Sequence, residues 1–204
     1  MAEPTTRDQI LVEARHCFAA QGFEGTSLND IAAGVGIRRP SLLHHFDSKE
    51  AIYRQILSDA LAEWGDQTEA ARNSESDGWE LVDSIVAASF RFFVANPEII
   101  VIVRREAMTD QSPLGFNLGV ALRPYFRRAV TFFERQMDQG VFRRHDAENL
   151  VLTGYGALLT YFSDHVMLKG LISEDPFSEA SLEARFEHMR SFIRAALEPV
   201  GGAE

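Results

Sequence analysis

Apolar residues recur three and four positions apart along nearly all of this 204-residue chain, and the strict alternation that marks a strand is nearly absent. A chain patterned this way folds as helices packed on helices. Ile10, Ala14, Cys17 and Phe18 share a face behind a Thr6 and Gln9 capping pair, with Gly22 as the stop. Ser27 and Asp30 form a second capping box ahead of Leu28, Ile31 and Ala32. Pro40 fits a third helix only in its first turn, so that helix begins near Arg38 or Arg39. Asp47 and Glu50 are the expected cap of a long fourth helix through Ile52, Ile56, Leu57, Leu61 and Trp64 towards Arg72. The polar stretch 73–78 reads as a loop. Trp79, Val82, Val86, Phe90 and Phe93 trace a fifth helix, and Asn96 is expected to cap its successor with Pro97 at the first helical position. Ser112 and Pro113 repeat that device, opening a helix towards Gln139 and Gly140 in which Pro124 predicts a kink or break. One helix from Asp146 to about Lys169 and one from Ser178 or Ser181 to Glu198 complete an all-α fold of about nine helices.

Composition narrows the class. Hydrophobic residues make up 46% and charged residues 25% of the chain, which is ordinary for a folded globular protein. The longest aliphatic run, Ile99 to Val103, is too short to span a bilayer, and the N-terminal stretch MAEPTTRDQ has neither the basic nor the apolar region of a signal peptide. A cytoplasmic location with no membrane partner is expected. The single cysteine, Cys17, forms no internal disulfide and leaves no cysteine pair for zinc. There is no phosphate-cradling glycine loop, no GxSxG elbow and no HExxH, and the six histidines are scattered. No catalytic residues, no metal and no cofactor are expected, and the chain does not read as an enzyme.

The formal charge is −10, unevenly spread: residues 1–55 hold six Lys and Arg against seven Asp and Glu. That N-terminal part is where a polyanion meets least repulsion. Within it, VGIRRPSLLHHFDSKE crowds two arginines, two histidines and a lysine into a short span. Residues 27–46 have the layout of a helix-turn-helix: a short helix, a glycine turn, then a second short helix with polar side chains outward. Ala32 is small where the helices would cross, Gly36 can supply a left-handed turn, and Ile31, Val35, Ile37 and Leu42 can wedge the pair together. Arg38, Arg39, Ser41 and His44 then face the end of the helix that reads base edges in a major groove. Thr26 and Ser27 at one helix start, and Lys49 in the first turn of the fourth helix, are expected at phosphates.

On these residues the chain resembles the DNA-binding domain of TetR/AcrR-type transcriptional regulators over residues 6–56: TSLNDIAAGVGI, a short recognition helix, then HF-x-SKE, in the family order. It departs from the pattern at Leu43, where that family usually has a phosphate-contacting tyrosine, so one backbone contact is lost or replaced through His44 or His45. The resemblance implies a DNA-binding domain over 1–50 and an effector-binding and dimerisation domain over 51–204. It implies a homodimer on double-stranded operator DNA, whose central helices hold a small-molecule effector that releases the DNA. Sequence features agree with each part. Gly154, Leu158, Phe186, Met189 and Ile193 could form a dimer seam or, equally well by periodicity, an intrachain core. Phe90, Phe93, Met108, Phe116, Tyr125, Phe126, Tyr155 and Phe162, with His165 as a polar anchor, would suit a hydrophobic or aromatic ligand, although most such residues in any helical domain are core. The alternative is a helical protein–protein interaction module that uses the same exposed face without sequence-specific DNA binding.

Overall fold

The computed structural model describes residues 4–72, 77–108 and 116–199. Among them are ten helices and no strand: α1 (Thr6–Gly25), α2 (Leu28–Val35), α3 (Arg39–Leu43), α4 (Lys49–Arg72), α5 (Gly78–Ala95), α6 (Pro97–Ala107), α7 (Leu118–Asp138), α8 (Ala147–Ser163), α9 (His165–Leu171) and α10 (Glu179–Leu197). No single helix among the described residues is long and apolar enough to cross a membrane. The chain groups into two compact units, Met1–Gly65 with Asn96–Leu118, and Asp66–Ala95 with Gly119–Glu204.

The helix starts show local chemistry at work. Thr5, not Thr6, caps α1: its hydroxyl accepts from the Asp8 N–H at 3.2 Å and the Asp8 carboxylate accepts from the Thr5 N–H at 3.1 Å. A charged carboxylate at the positive end of a helix is a better acceptor than the Gln9 amide, so the box closes one residue earlier. Ser48, not Asp47, caps α4, accepting from the Ala51 N–H at 3.1 Å. Asn96 does precede α6, with Pro97 at its first position, but makes no side-chain cap; its Oδ1 accepts instead from Arg15 at 3.5 Å. The expected start at Ser112 and Pro113 lies outside the described residues. Helix α7 runs without a break through Pro124, an exposed position where the ring costs one intrahelical hydrogen bond. The single helix expected from Asp146 to Lys169 is instead two, divided at Asp164 (φ −102°, ψ 31°), whose carboxylate accepts from the Ser163 hydroxyl at 2.7 Å. Local side-chain bonding of this kind competes with helical hydrogen bonding.

In the first unit, Ile10, Ala14, Cys17 and Phe18 of α1 are buried with Ile31, Leu42, Ile52, Tyr53 and Ile56. Phe18, Phe23 and Tyr53 pack edge and face, with ring centres 5.0 to 5.9 Å apart. Helix α6 belongs to this unit and packs on α1. Its Ile99, Ile100 and Ile102 are buried, Arg105 donates to the Phe18 carbonyl at 2.9 Å, and the Tyr53 hydroxyl donates to Glu106 at 3.3 Å.

In the second unit, Val82, Met137, Phe142 and Leu197 form a buried cluster with Trp79, Phe132, Phe133 and Ile193 against it. A second, aromatic cluster joins Phe90 to Phe162 at 5.2 Å and to Phe186 at 5.1 Å, and Phe93 to Phe162 at 5.6 Å. Arg190 of α10 reaches both carboxylate oxygens of Asp83 on α5, at 2.5 and 2.7 Å, a bidentate pair that fastens these helices.

Candidate nucleic-acid interface

Helix α2 opens on Ser27, whose hydroxyl accepts from the Asp30 N–H at 3.2 Å while the Asp30 carboxylate accepts from the Ser27 N–H at 2.9 Å. The Ser27 hydroxyl also donates to the Asp30 carboxylate at 2.7 Å, and that bond first, then the one from the Ser27 N–H, holds the Asp30 carboxyl below its ordinary range. The helix ends at Gly36 in the left-handed conformation (φ 77°, ψ 24°). There the Gly36 N–H donates to Ala33 at 3.0 Å and the Ile37 N–H to Ala32 at 2.9 Å, the paired bonds of a Schellman motif. A Cβ on Gly36 would meet nothing within 4 Å, so the glycine is needed for its backbone angle alone.

The chain leaves this turn in extended form at Arg38 and enters α3, whose Leu42 is fully buried; Phe46, just past the helix, is buried beside it. Those two anchors turn the rest of the segment outward: Arg38, Arg39, Pro40, Ser41, Leu43, His44 and His45 are all exposed. The expected set of Arg38, Arg39, Ser41, His44 and His45 therefore comes together on one short surface segment, with Ser27 exposed at the start of α2. Among the described residues no carboxylate pairs with Arg38 or Arg39. Pro40 and Leu43, three residues apart on the helix, add a small exposed apolar patch that polarity-based reading of the sequence passed over.

Two expected phosphate contacts are committed elsewhere. Thr26 is buried and its hydroxyl donates to the Gly22 carbonyl at 2.8 Å. Lys49 donates to the carbonyls of Phe23 at 2.7 Å and Thr26 at 2.9 Å, with its ammonium 4.2 Å from the centre of the Phe23 ring. A lysine in the first turn of α4, unfavourable for the helix dipole, is thus explained by a structural clasp without a phosphate.

The residues expected to line a ligand pocket differ in their surroundings. Phe90, Phe93 and Phe162 are packed ring against ring, Met108 and Tyr155 are exposed, and Phe116, Tyr125 and Phe126 are half-buried. Met108 and Phe116 belong to the first unit and the others to the second. The half-buried His165 ring lies 6.4 Å from Phe177. Of the expected dimer residues, Met189 is buried, while Ile193, which packs on the second unit's core, and Phe186, which packs on Phe90, are half-buried. Gly154 and Leu158 are half-buried. The outward apolar residues are Leu152 and Tyr155 on α8 and Phe192 on α10. Phe192 lies on a stripe with Ala184, His188 and Ala195, a pattern masked in the sequence by its small and polar members.

Comparison with known proteins gives the same assignment from both ends of the chain. Residues 10–56 match the family described as bacterial regulatory proteins, tetR family, and residues 79–193 match a tetracyclin repressor-like C-terminal domain. The biofilm operon icaADBC negative transcriptional regulator IcaR of Staphylococcus aureus (strain Newman) is 47% identical over 51 residues, 25% of this chain. The match spans about a quarter of that relative's length, 27%. Over nearly the full chain, the fold is that of the ketosteroid transcriptional regulator KstR2 of Mycobacterium tuberculosis, with a TM-score of 0.81 at 19% identity, covering 98% of each chain. It is also that of AibR, solved with isovaleryl coenzyme A and operator DNA, with a TM-score of 0.76 at 18% identity, covering 93% of this chain and 98% of that one. With a helix-turn-helix at its N-terminus and a family match over more than half its length, the chain belongs to the tetR family of bacterial transcriptional regulators, which are not enzymes.

Proposed function

We propose that this protein is a homodimeric repressor that reads a palindromic operator through two copies of the segment 38–45 and releases it when a small hydrophobic ligand binds. The observation that carries the reading is the pair Arg38 and Arg39, exposed at the start of α3 with no carboxylate claiming either among the described residues. Arginine is the side chain suited to a bidentate contact with guanine. Ser27, Ser41, His44 and His45 surround it as phosphate and sugar contacts that set the docking angle. Two heads on one duplex meet half-sites about one helical turn apart, roughly 34 Å, or a multiple of that.

The dimer is assigned to α8 and α10, through Leu152, Tyr155 and Phe192, which the protomer leaves exposed. The effector is assigned to the second unit, whose aromatic residues Phe90, Phe93, Tyr125, Phe126 and Phe162 offer an apolar environment. The coenzyme A thioester bound by AibR supports an acyl group as the effector's apolar part.

The test is selection of bound duplexes from a randomised pool at fixed moderate salt, with wild type and Arg39→Ala in parallel. Enrichment of an inverted repeat by the wild type, with preference at one base position relaxed in the variant by about 1–3 kcal/mol, is the expected outcome. A folded wild type that enriches nothing refutes the reading and favours the protein-interaction module.

A further inference from the structure

We propose that the groove between the end of α4 and one face of α7 binds the phosphate-bearing end of a small-molecule ligand. The groove has a volume of about 280 Å³ and is lined by Arg72, Arg127, Arg128, Thr131, Phe132 and Arg135. Four guanidinium groups thus share one small concavity in a chain whose formal charge is −10. Helix α7 brings most of them: Arg128, Thr131 and Arg135 lie three, four and seven residues apart, one face of a helix.

The carboxylates nearby are too few to satisfy this cluster. Glu69 is shared, 3.2 Å from Arg128 and 3.9 Å from Arg72. Arg135 pairs with Asp77 at 3.1 Å and Arg127 with Glu148 at 3.7 Å. All four pairs are substantially exposed, the class of contact that contributes little to stability, so protein folding alone gives weak reason to gather four arginines here. Two of the guanidinium groups are held over rings, Arg128 over Tyr125 at 5.0 Å and Arg135 over Phe132 at 5.8 Å. A ring beneath a guanidinium fixes its plane and leaves its edge N–H donors free to point at an anion.

A phosphate fits what this groove offers. Its oxygens accept the paired N–H donors of an arginine fork, and a phosphate dianion or a diphosphate competes for Arg128 and Arg72 better than the single carboxylate they share. Thr131 supplies a hydroxyl donor at the same surface and Phe132 an apolar wall. The groove and all its lining residues lie in the second unit, where the effector is assigned. The inference rests on that assignment for the identity of the ligand's other end, and it divides the ligand chemically: an apolar group for the aromatic interior, a phosphorylated carrier for the arginines.

The test is calorimetric titration of the full chain with coenzyme A, ADP, inorganic pyrophosphate and a short acyl thioester of N-acetylcysteamine, which carries the acyl group without phosphate. Wild type is compared with Arg128→Gln, Arg135→Gln and, as a control, Arg123→Gln, an exposed arginine of α7 outside the groove. Arg128→Lys, which keeps the charge and loses the fork, guards against a loss caused by misfolding. The expected result is binding of at least one phosphate probe to wild type, weakened about tenfold or more by Arg128→Gln and Arg135→Gln, several-fold by Arg128→Lys, and not by Arg123→Gln. Binding of the N-acetylcysteamine thioester is expected to be the same in all. Phosphate probes that bind wild type and the groove variants alike, or that do not bind wild type at all, overturn the proposal. If the phosphate probes behave as expected and the acyl thioester binds nothing, the groove stands and the acyl reading of the effector falls.

Discussion

The ammonium group of Lys49 lies between the carbonyl oxygens of Phe23 and Thr26, at 2.7 and 2.9 Å, and so ties the first turn of α4 to the link between α1 and α2. The Phe23 carbonyl also accepts from the Thr26 N–H, at 3.4 Å, so the lysine adds a charged donor to the cap of α1. Replacing Lys49 with Met should cost about 2–3 kcal/mol, from hydrogen bonds to a charged donor and the lost cation–π contact. DNA affinity should fall alike for all sequences, because α2 loses its support, while the slope of log affinity against log salt stays as in the wild type. Chemical unfolding and binding at several salt concentrations check both statements. A slope reduced by about 0.9 would return Lys49 to the phosphate-contacting role.

Gly36→Ala isolates the left-handed turn between α2 and α3. With open space around the new Cβ, only the backbone angle opposes it, and the expected loss is about 1–2 kcal/mol of stability. Equilibrium unfolding in urea measures it directly.

His16 and Glu98 connect α1 to α6 through a 3.0 Å contact. The hydrogen bond to Glu98, followed by its charge, raises the His16 imidazole above its ordinary value of 6.5. A raised pKa means that the fold favours the protonated ring, so this contribution is fully present below about pH 6.5 and disappears as the pH rises through the folded value. The Tm advantage of wild type over His16→Ala should therefore shrink between about pH 6 and pH 8. Because the pair is exposed the change is small, and melts of both proteins across that range, with an NMR titration of His16, read it.

Phe192 and Met189 sit three residues apart on α10, Phe192 exposed at the rim of the packed face and Met189 buried within it. Phe192→Glu should leave the protomer folded and shift the protein from dimer to monomer at micromolar concentration, with operator affinity reduced. Met189→Glu should instead unfold the second unit, since it buries a carboxylate with no partner. Sedimentation velocity and circular dichroism separate the two outcomes. A Phe192→Glu protein that remains dimeric removes α10 from the interface.

What could be read from the sequence divides by the range of the interaction. The Ser27 and Asp30 box, the left-handed Gly36 and the outward set from Arg38 to His45 were legible because each depends on neighbours within a few residues. The roles of Lys49 and Thr26 were not, because their partners are set by how α1 meets α4, which leaves no mark on either residue. The apolar stripe on α10 was visible, but periodicity identifies a buried face without saying what packs on it; here Phe90 of α5 meets Phe186, and the cluster around Val82 takes Ile193 and Leu197. The break at Asp164 went unread because an aspartate at that position is compatible with a continuing helix. The arginines of α7 stood in plain view and were not connected, since Arg72 reaches them only through the fold.

The place of α6 in the first unit bears on how this protein is made. Ile99, Ile100 and Ile102 are walls of the core that holds the helix-turn-helix, and they follow it by more than fifty residues. A nascent chain that has emerged only as far as α4 carries the whole reading segment but lacks one side of the core behind it. The head closes only once residues 97–107 have left the ribosome, so a fragment ending at residue 65 should be a poor stand-in for it, and grafting that fragment onto another protein would transplant the reading surface without its support.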